Sequence, residues 1–143
     1  YLLVPSVLTR CINKTLSERA NRVGEDYAEI DAIALLYEIT SGYQTILQGQ
    51  YIAKYFDFHR STGKDQAVLT TEALQFFNEK WNVLDSRMEI VAGKEVLREL
   101  RTTLSKNYSI TLTDFKIIDE FKVSEIPTDL TKLLTDLEEY RRS

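Results

Sequence analysis

Apolar residues recur at steps of three and four along most of this chain, and those steps define its elements. Val7, Leu8, Cys11, Ile12, Leu16, Ala20 and Val23 form the cleanest stripe, with polar residues filling most positions between them. Ser6 can cap such a helix and Gly24 follows its last apolar position, so the pattern predicts a helix over 6–23. A second helix is predicted over 26–40, with Glu25-Asp26 as an acidic start. Tyr27, Ile30, Ile33, Ala34, Tyr37 and Ile39 are joined there by Ala28, Ala32, Leu35 and Leu36. A helix apolar on most of its circumference is expected to be central.

Ser41-Gly42 weakens the pattern, and Ile46, Leu47, Tyr51, Ile52, Tyr55, Phe56 and Phe58 predict a third helix over 42–58. Gly49 inside it costs about 1 kcal/mol relative to alanine, which points to a kink or a close helix approach. Residues 59–65 read as a polar loop, and Thr62 with Asp65 resembles a capping box. From Val68 through Leu69, Ala73, Phe76, Phe77, Trp81, Leu84, Met88 and Val91 the spacing stays helical up to Gly93, predicting one helix roughly 40 Å long. Gly93 then breaks or bends the helix, because Val96, Leu97, Leu100 and Leu104 form a new face.

Ile110 and Leu112 alternate as a short strand would, but Thr113-Asp114 followed by Phe115, Ile118 and Phe121 favours a short capped helix. Pro127 and Thr128 open a last helix. Its Leu130, Leu133, Leu134, Leu137 and Tyr140 make a narrow stripe before Arg141-Arg142. No proline interrupts the chain between Pro5 and Pro127, and no segment repeats at a fixed period. The expected fold is therefore all-α, an irregular bundle of six or seven helices in a single domain spanning 1–143. The opening Tyr1-Leu2-Leu3-Val4 lacks the features of a signal peptide and suggests a domain excised from a longer chain.

The composition, 43% apolar and 28% charged with a net charge of −4, suits a folded domain and argues against nucleic acid as the main partner. A local basic strip could form from Arg10, Lys14, Arg19 and Arg22 on the first helix. No apolar run reaches the roughly 18 residues of a membrane span. Cys11, the single cysteine, falls on an apolar stripe and has no internal partner, which favours a reducing, intracellular setting, cytoplasmic or nuclear.

Candidate chemistry is sparse. His59 is the only histidine, and one histidine with one cysteine does not furnish a zinc site. Phe56 stands where a bundle di-metal motif would place glutamate three residues before a histidine. Gly63-Lys64 resembles the end of a phosphate-binding loop, yet Phe58 occupies the position of its first glycine. Asp26, Glu29 and Asp31 are the best candidates for buried acids, though the helix's solvent edge and first turn account for them more simply. No cofactor and no catalytic activity is expected.

Two surfaces stand out instead. Tyr51 and Tyr55 share a helix face and with Phe58 could form an amphipathic docking patch. Leu130, Leu133 and Leu137 could lay the last helix into a groove of its own domain or of a partner. The reading is a non-enzymatic protein interaction module, a domain or subunit of a larger assembly. Its rivals are an apolar or aromatic ligand held in a tyrosine-lined cavity and a nucleic-acid-associated domain.

Overall fold

The computed structural model describes residues 3–142, and among them eight α-helices and no strand occur. These are α1 (Pro5–Val23), α2 (Ala32–Ser41), α3 (Gln44–His59), α4 (Gln66–Asn82), α5 (Leu84–Ile90), α6 (Gly93–Tyr108), α7 (Asp114–Asp119) and α8 (Thr128–Arg142). The all-α fold read from the periodicity is thus the one observed. The chain divides into two compact units, one made of residues up to Ile30 and from Thr103 onward, the other of Asp31–Thr102.

In the first unit, α1 starts on Pro5, whose missing N–H is one of the donors a helix N-terminus leaves unpaired anyway. It ends at Gly24, which takes a left-handed φ of 70° while Glu25 N–H reaches back to the Ala20 carbonyl. Val7, Leu8, Cys11, Ile12 and Leu16 of α1 are buried, as are Leu104, Ile110, Leu112 and Ile117. Cys11 behaves as the small hydrophobe its stripe position predicts, and burial pushes its thiol pKa up. Ile110 and Leu112 are inward-facing residues of an irregular segment rather than a strand. Thr113 then caps α7 by accepting a hydrogen bond from Lys116 N–H at 3.3 Å.

The expected start of the second helix near Asp26 is corrected. Residues 25–31 are not helical, because the Asn13 side chain accepts from Ile30 N–H at 2.9 Å and donates to the Ile30 carbonyl at 3.2 Å. That pairing ties Ile30 to α1. The true cap is Asp31, whose carboxylate accepts from Ile33 N–H at 3.0 Å and Ala34 N–H at 3.2 Å. Asp26, Glu29 and Asp31 are all exposed, so none is a buried acid.

The second unit is organised around α4, whose Leu69, Ala73, Phe77 and Trp81 step by four and are all buried. Helix α3 packs along α4 and has no fully buried residue. The single long helix expected from Val68 to Gly93 is instead broken at Val83, which is extended at φ −107° and ψ 123°. The break lets α5 fold back, so that Arg87 donates through Nε to the Trp81 carbonyl at 2.6 Å. Gly93 is a break and not a bend, since Val91 is extended and α6 begins at Gly93.

Candidate interaction surface

From Leu133 onward the stripe of α8, apolar by sequence, is exposed in the structure. Leu133, Leu134 and Leu137 are 53%, 54% and 55% exposed and Tyr140 is 82% exposed, while Leu130 is half-buried. No described residue of α8 is fully buried. Self-packing of this stripe into its own domain, one expected route, therefore does not extend to Leu133, Leu134 and Leu137. Further apolar side chains of the same unit lie exposed just before it, namely Phe115 and Ile118 on α7 and Val123 in a single 3-10 turn, Val123–Glu125.

The entry to α8 is fixed by a polar cluster. Arg10 Nη1 donates to Glu125 Oε1 at 2.8 Å and Nη2 to Oε2 at 2.5 Å, a bidentate pair, while Ser6 Oγ donates to Oε1 at 3.0 Å. Lys122 N–H adds a bond to Oε2 at 3.0 Å, closing the turn on itself. These donors, Arg10 foremost and then the Lys122 amide, hold the Glu125 carboxyl down at a pKa of about 2. Arg10 also donates to the Glu120 carbonyl at 2.7 Å, and Lys14 pairs with the Glu120 side chain. Pro127 follows, and its carbonyl accepts from Leu130 and Thr131 N–H at 3.0 Å to begin α8.

The same cluster answers the basic strip proposed on α1. Arg10 and Lys14 are engaged by Glu125 and Glu120, and Arg19 lies 3.4 Å from Glu25. Only Arg22 of the four is left with no acidic neighbour among the ion pairs of the described residues, so the strip is largely neutralised within the unit. That weakens the electrostatic footprint a phosphate backbone requires.

The second predicted patch is only partly assembled. Tyr51 and Tyr55 do share a face, with ring centroids 6.5 Å apart, but that face turns toward α4: Tyr51 lies 5.9 Å from Phe77 and Tyr55 6.0 Å from Phe76. The Tyr55 hydroxyl donates to Glu72 at 3.0 Å, and Lys64 Nζ donates to the same carboxylate at 2.7 Å. Phe58 is separate from this packing and 83% exposed, standing edge-on to His59, which in turn packs on Tyr55 at 4.3 Å. Asp57 is held by Arg60 at 2.6 Å.

Other chemistry finds little geometry. Among the described residues no three His, Cys, Asp or Glu side chains converge as a metal site would need, and no helix is long and apolar enough to cross a membrane. A hollow of about 130 Å³ in the first unit is walled by Cys11, Lys14, Thr15, Glu18, Lys116, Asp119 and Glu120. Its walls are charged and it is well below the roughly 300 Å³ where ligand pockets begin. Comparison with family models, with curated proteins and with solved structures returned no match.

One buried group escaped the sequence reading. Arg87 is only 7% exposed and lies between the Tyr37 and Trp81 rings, its Cζ 4.5 Å and 4.4 Å from their centroids. The signal was present, because Arg87 stands three residues after Leu84 and four before Val91, on the buried stripe itself.

Proposed function

We propose that this chain is a non-enzymatic helical interaction module, a domain or subunit of a larger intracellular assembly, which engages a protein partner through the leucine face of α8. The observation that carries the reading is the exposure of Leu133, Leu134 and Leu137 on a helix with no buried described residue. Leaving such a stripe in water forgoes its hydrophobic gain, whereas docking it recovers about 25 cal/mol for each Å² covered. Phe115, Ile118 and Val123, earlier in the same unit, are exposed as well. The buried, unpaired Cys11 thiol suits a reducing compartment.

The rival reading, a tyrosine-lined ligand cavity, draws less support because the Tyr51 and Tyr55 rings pack on Phe77 and Phe76. Capture experiments with the immobilised chain test the proposal. The wild type is expected to retain a specific protein, and the double variant Leu133→Asp/Leu137→Asp to lose at least tenfold of it with an unchanged far-UV circular dichroism spectrum. Equal retention by both chains overturns the assignment to α8.

A further inference from the structure

We propose that α8 pairs with α8 of a second copy of this chain as a parallel, in-register two-stranded coiled coil. The proposal rests on the reading of α8 as a docking face and names its partner. The argument begins with spacing. Leu130, Leu133, Leu137 and Tyr140 are separated by three, four and three residues, the alternation of the a and d positions of a heptad. A helix that packs onto a broad domain surface shows a wider face, and here only Leu134 widens the seam.

The outward positions fit a two-stranded structure. Taking Leu130 as a, the b, c and f positions are Thr131, Lys132, Thr135, Glu138, Glu139 and Arg142, every one of them polar. Arg142 and Glu138 form an ion pair with each other at 3.2 Å, on the side away from the seam. More than two strands would cover part of this surface.

Charge then selects the orientation. Asp129 and Asp136 occupy the g positions, and Leu134 and Arg141 the e positions. In a parallel pair a g residue meets the e residue five positions on in the partner helix. Asp136 therefore faces Arg141 of the second copy, twice by symmetry, and Asp129 faces Leu134. In an antiparallel pair g faces g, which brings aspartates against aspartates and leaves both arginines without an acid across the seam. Like charges in such flanks are unfavourable, so the parallel arrangement is the one this sequence supports.

Length sets the strength. The helix has 15 residues, about 22 Å at 1.5 Å per residue, which gives two heptads of seam. An interface of that size belongs to the weak class, with a dissociation constant expected on the order of 100 μM.

Sedimentation equilibrium of the full chain up to about 1 mM, with disulfide trapping, tests this. The wild type is expected to rise from monomer toward dimer mass across that range, and Leu133→Asp/Leu137→Asp to stay monomeric; because these side chains are exposed, the variant keeps its fold, as circular dichroism reads. Leu130→Cys and Tyr140→Cys are each expected to form a disulfide with their own kind on mild oxidation, since a parallel register places like with like. A wild type that remains monomeric throughout overturns the self-pairing; if the double variant still abolishes capture of a different protein, the docking face itself stands. Disulfides forming only between a Leu130→Cys chain and a Tyr140→Cys chain overturn the parallel orientation.

Discussion

Arg87 stabilises the second unit through two rings and two oxygens rather than through a carboxylate. Its Nε bonds the Trp81 carbonyl, one of those left unpaired where α4 ends, and a cation is favoured at that negative helix end. Nη1 donates to Thr40 Oγ1 at 3.2 Å, while Thr40 donates in turn to the Leu36 carbonyl at 2.7 Å. Burial lowers the guanidinium's pKa from its ordinary value, although it stays charged at any physiological pH. Desolvated cation–π contact is worth about 2 kcal/mol, and a lysine cannot stack as a plane while donating to both oxygens. Arg87→Lys is therefore expected to cost about 2 kcal/mol, read as a lower urea midpoint at unchanged slope. An unchanged midpoint would mean the sandwich contributes nothing. Spacing sets Met88 on the stripe with Leu84 and Val91, and Arg87 is passed over because charge normally marks the solvent side; Arg87 is the buried one and Met88 is half-buried.

Individual helices differ in how plainly the chain announces them. Ends at Gly24, Thr113 and Pro127 were legible because the signal is local, but two expected caps are corrected. Val4 and not Ser6 precedes α1, with Ser6 Oγ bonded to Glu125, and Asp65 caps α4 by accepting from Ala67 N–H while Thr62 donates to the His59 carbonyl. The break at Val83 was not: Trp81, Leu84 and Val91 continue a helical spacing, and only the return of Arg87 to Trp81 explains the turn. The late start of α2 depends likewise on Asn13, which is distant in sequence from Ile30. For α8 the apolar stripe could be read directly, whereas its exposure could not, since periodicity says which face is apolar and not whether anything covers it. Gly49 is a further case. The kink or close approach expected there is absent: α3 is continuous from Gln44 to His59, and a Cβ at Gly49 would meet nothing within 4 Å. The glycine then carries only its entropic penalty. Gly49→Ala is expected to raise stability by about 0.5–1 kcal/mol, measured by thermal or urea unfolding. A loss of stability would point to a role for this exposed position that packing does not supply.

For the molecule as a whole, pH dependence follows from carboxylates held by cations in each unit. Glu125 is depressed from 4.5 to about 2 by Arg10 and the Lys122 amide, and Glu72 is lowered by Lys64 and Tyr55. Above 4.5 both carboxylates are charged in the folded and unfolded chains, so their stabilisation is fully present. As pH falls the unfolded chain takes up protons first, and the contribution disappears through about 2 for Glu125. On the alkaline side the signs reverse. Lys14 and Lys64 are raised by their Glu120 and Glu72 partners, and Tyr43 by its bond to Glu99. The folded chain retains these protons longer, so this stabilisation is complete below about pH 10 and declines as pH rises through the folded values. Cys11, whose thiol burial raises from an ordinary 9.0, loses its contribution first, so thermal midpoints should form a plateau from about pH 5 to about pH 8.5 and fall on both sides. Glu125→Gln resolves the acid limb: its midpoint should lie below the wild type at pH 7, and the two curves should approach each other toward pH 2, where the wild-type carboxyl is itself neutral and resembles the amide. Curves that stay parallel down to pH 2 would locate the acid sensitivity elsewhere, and the cluster that sets the entry to α8 would then be a matter of shape and not of charge.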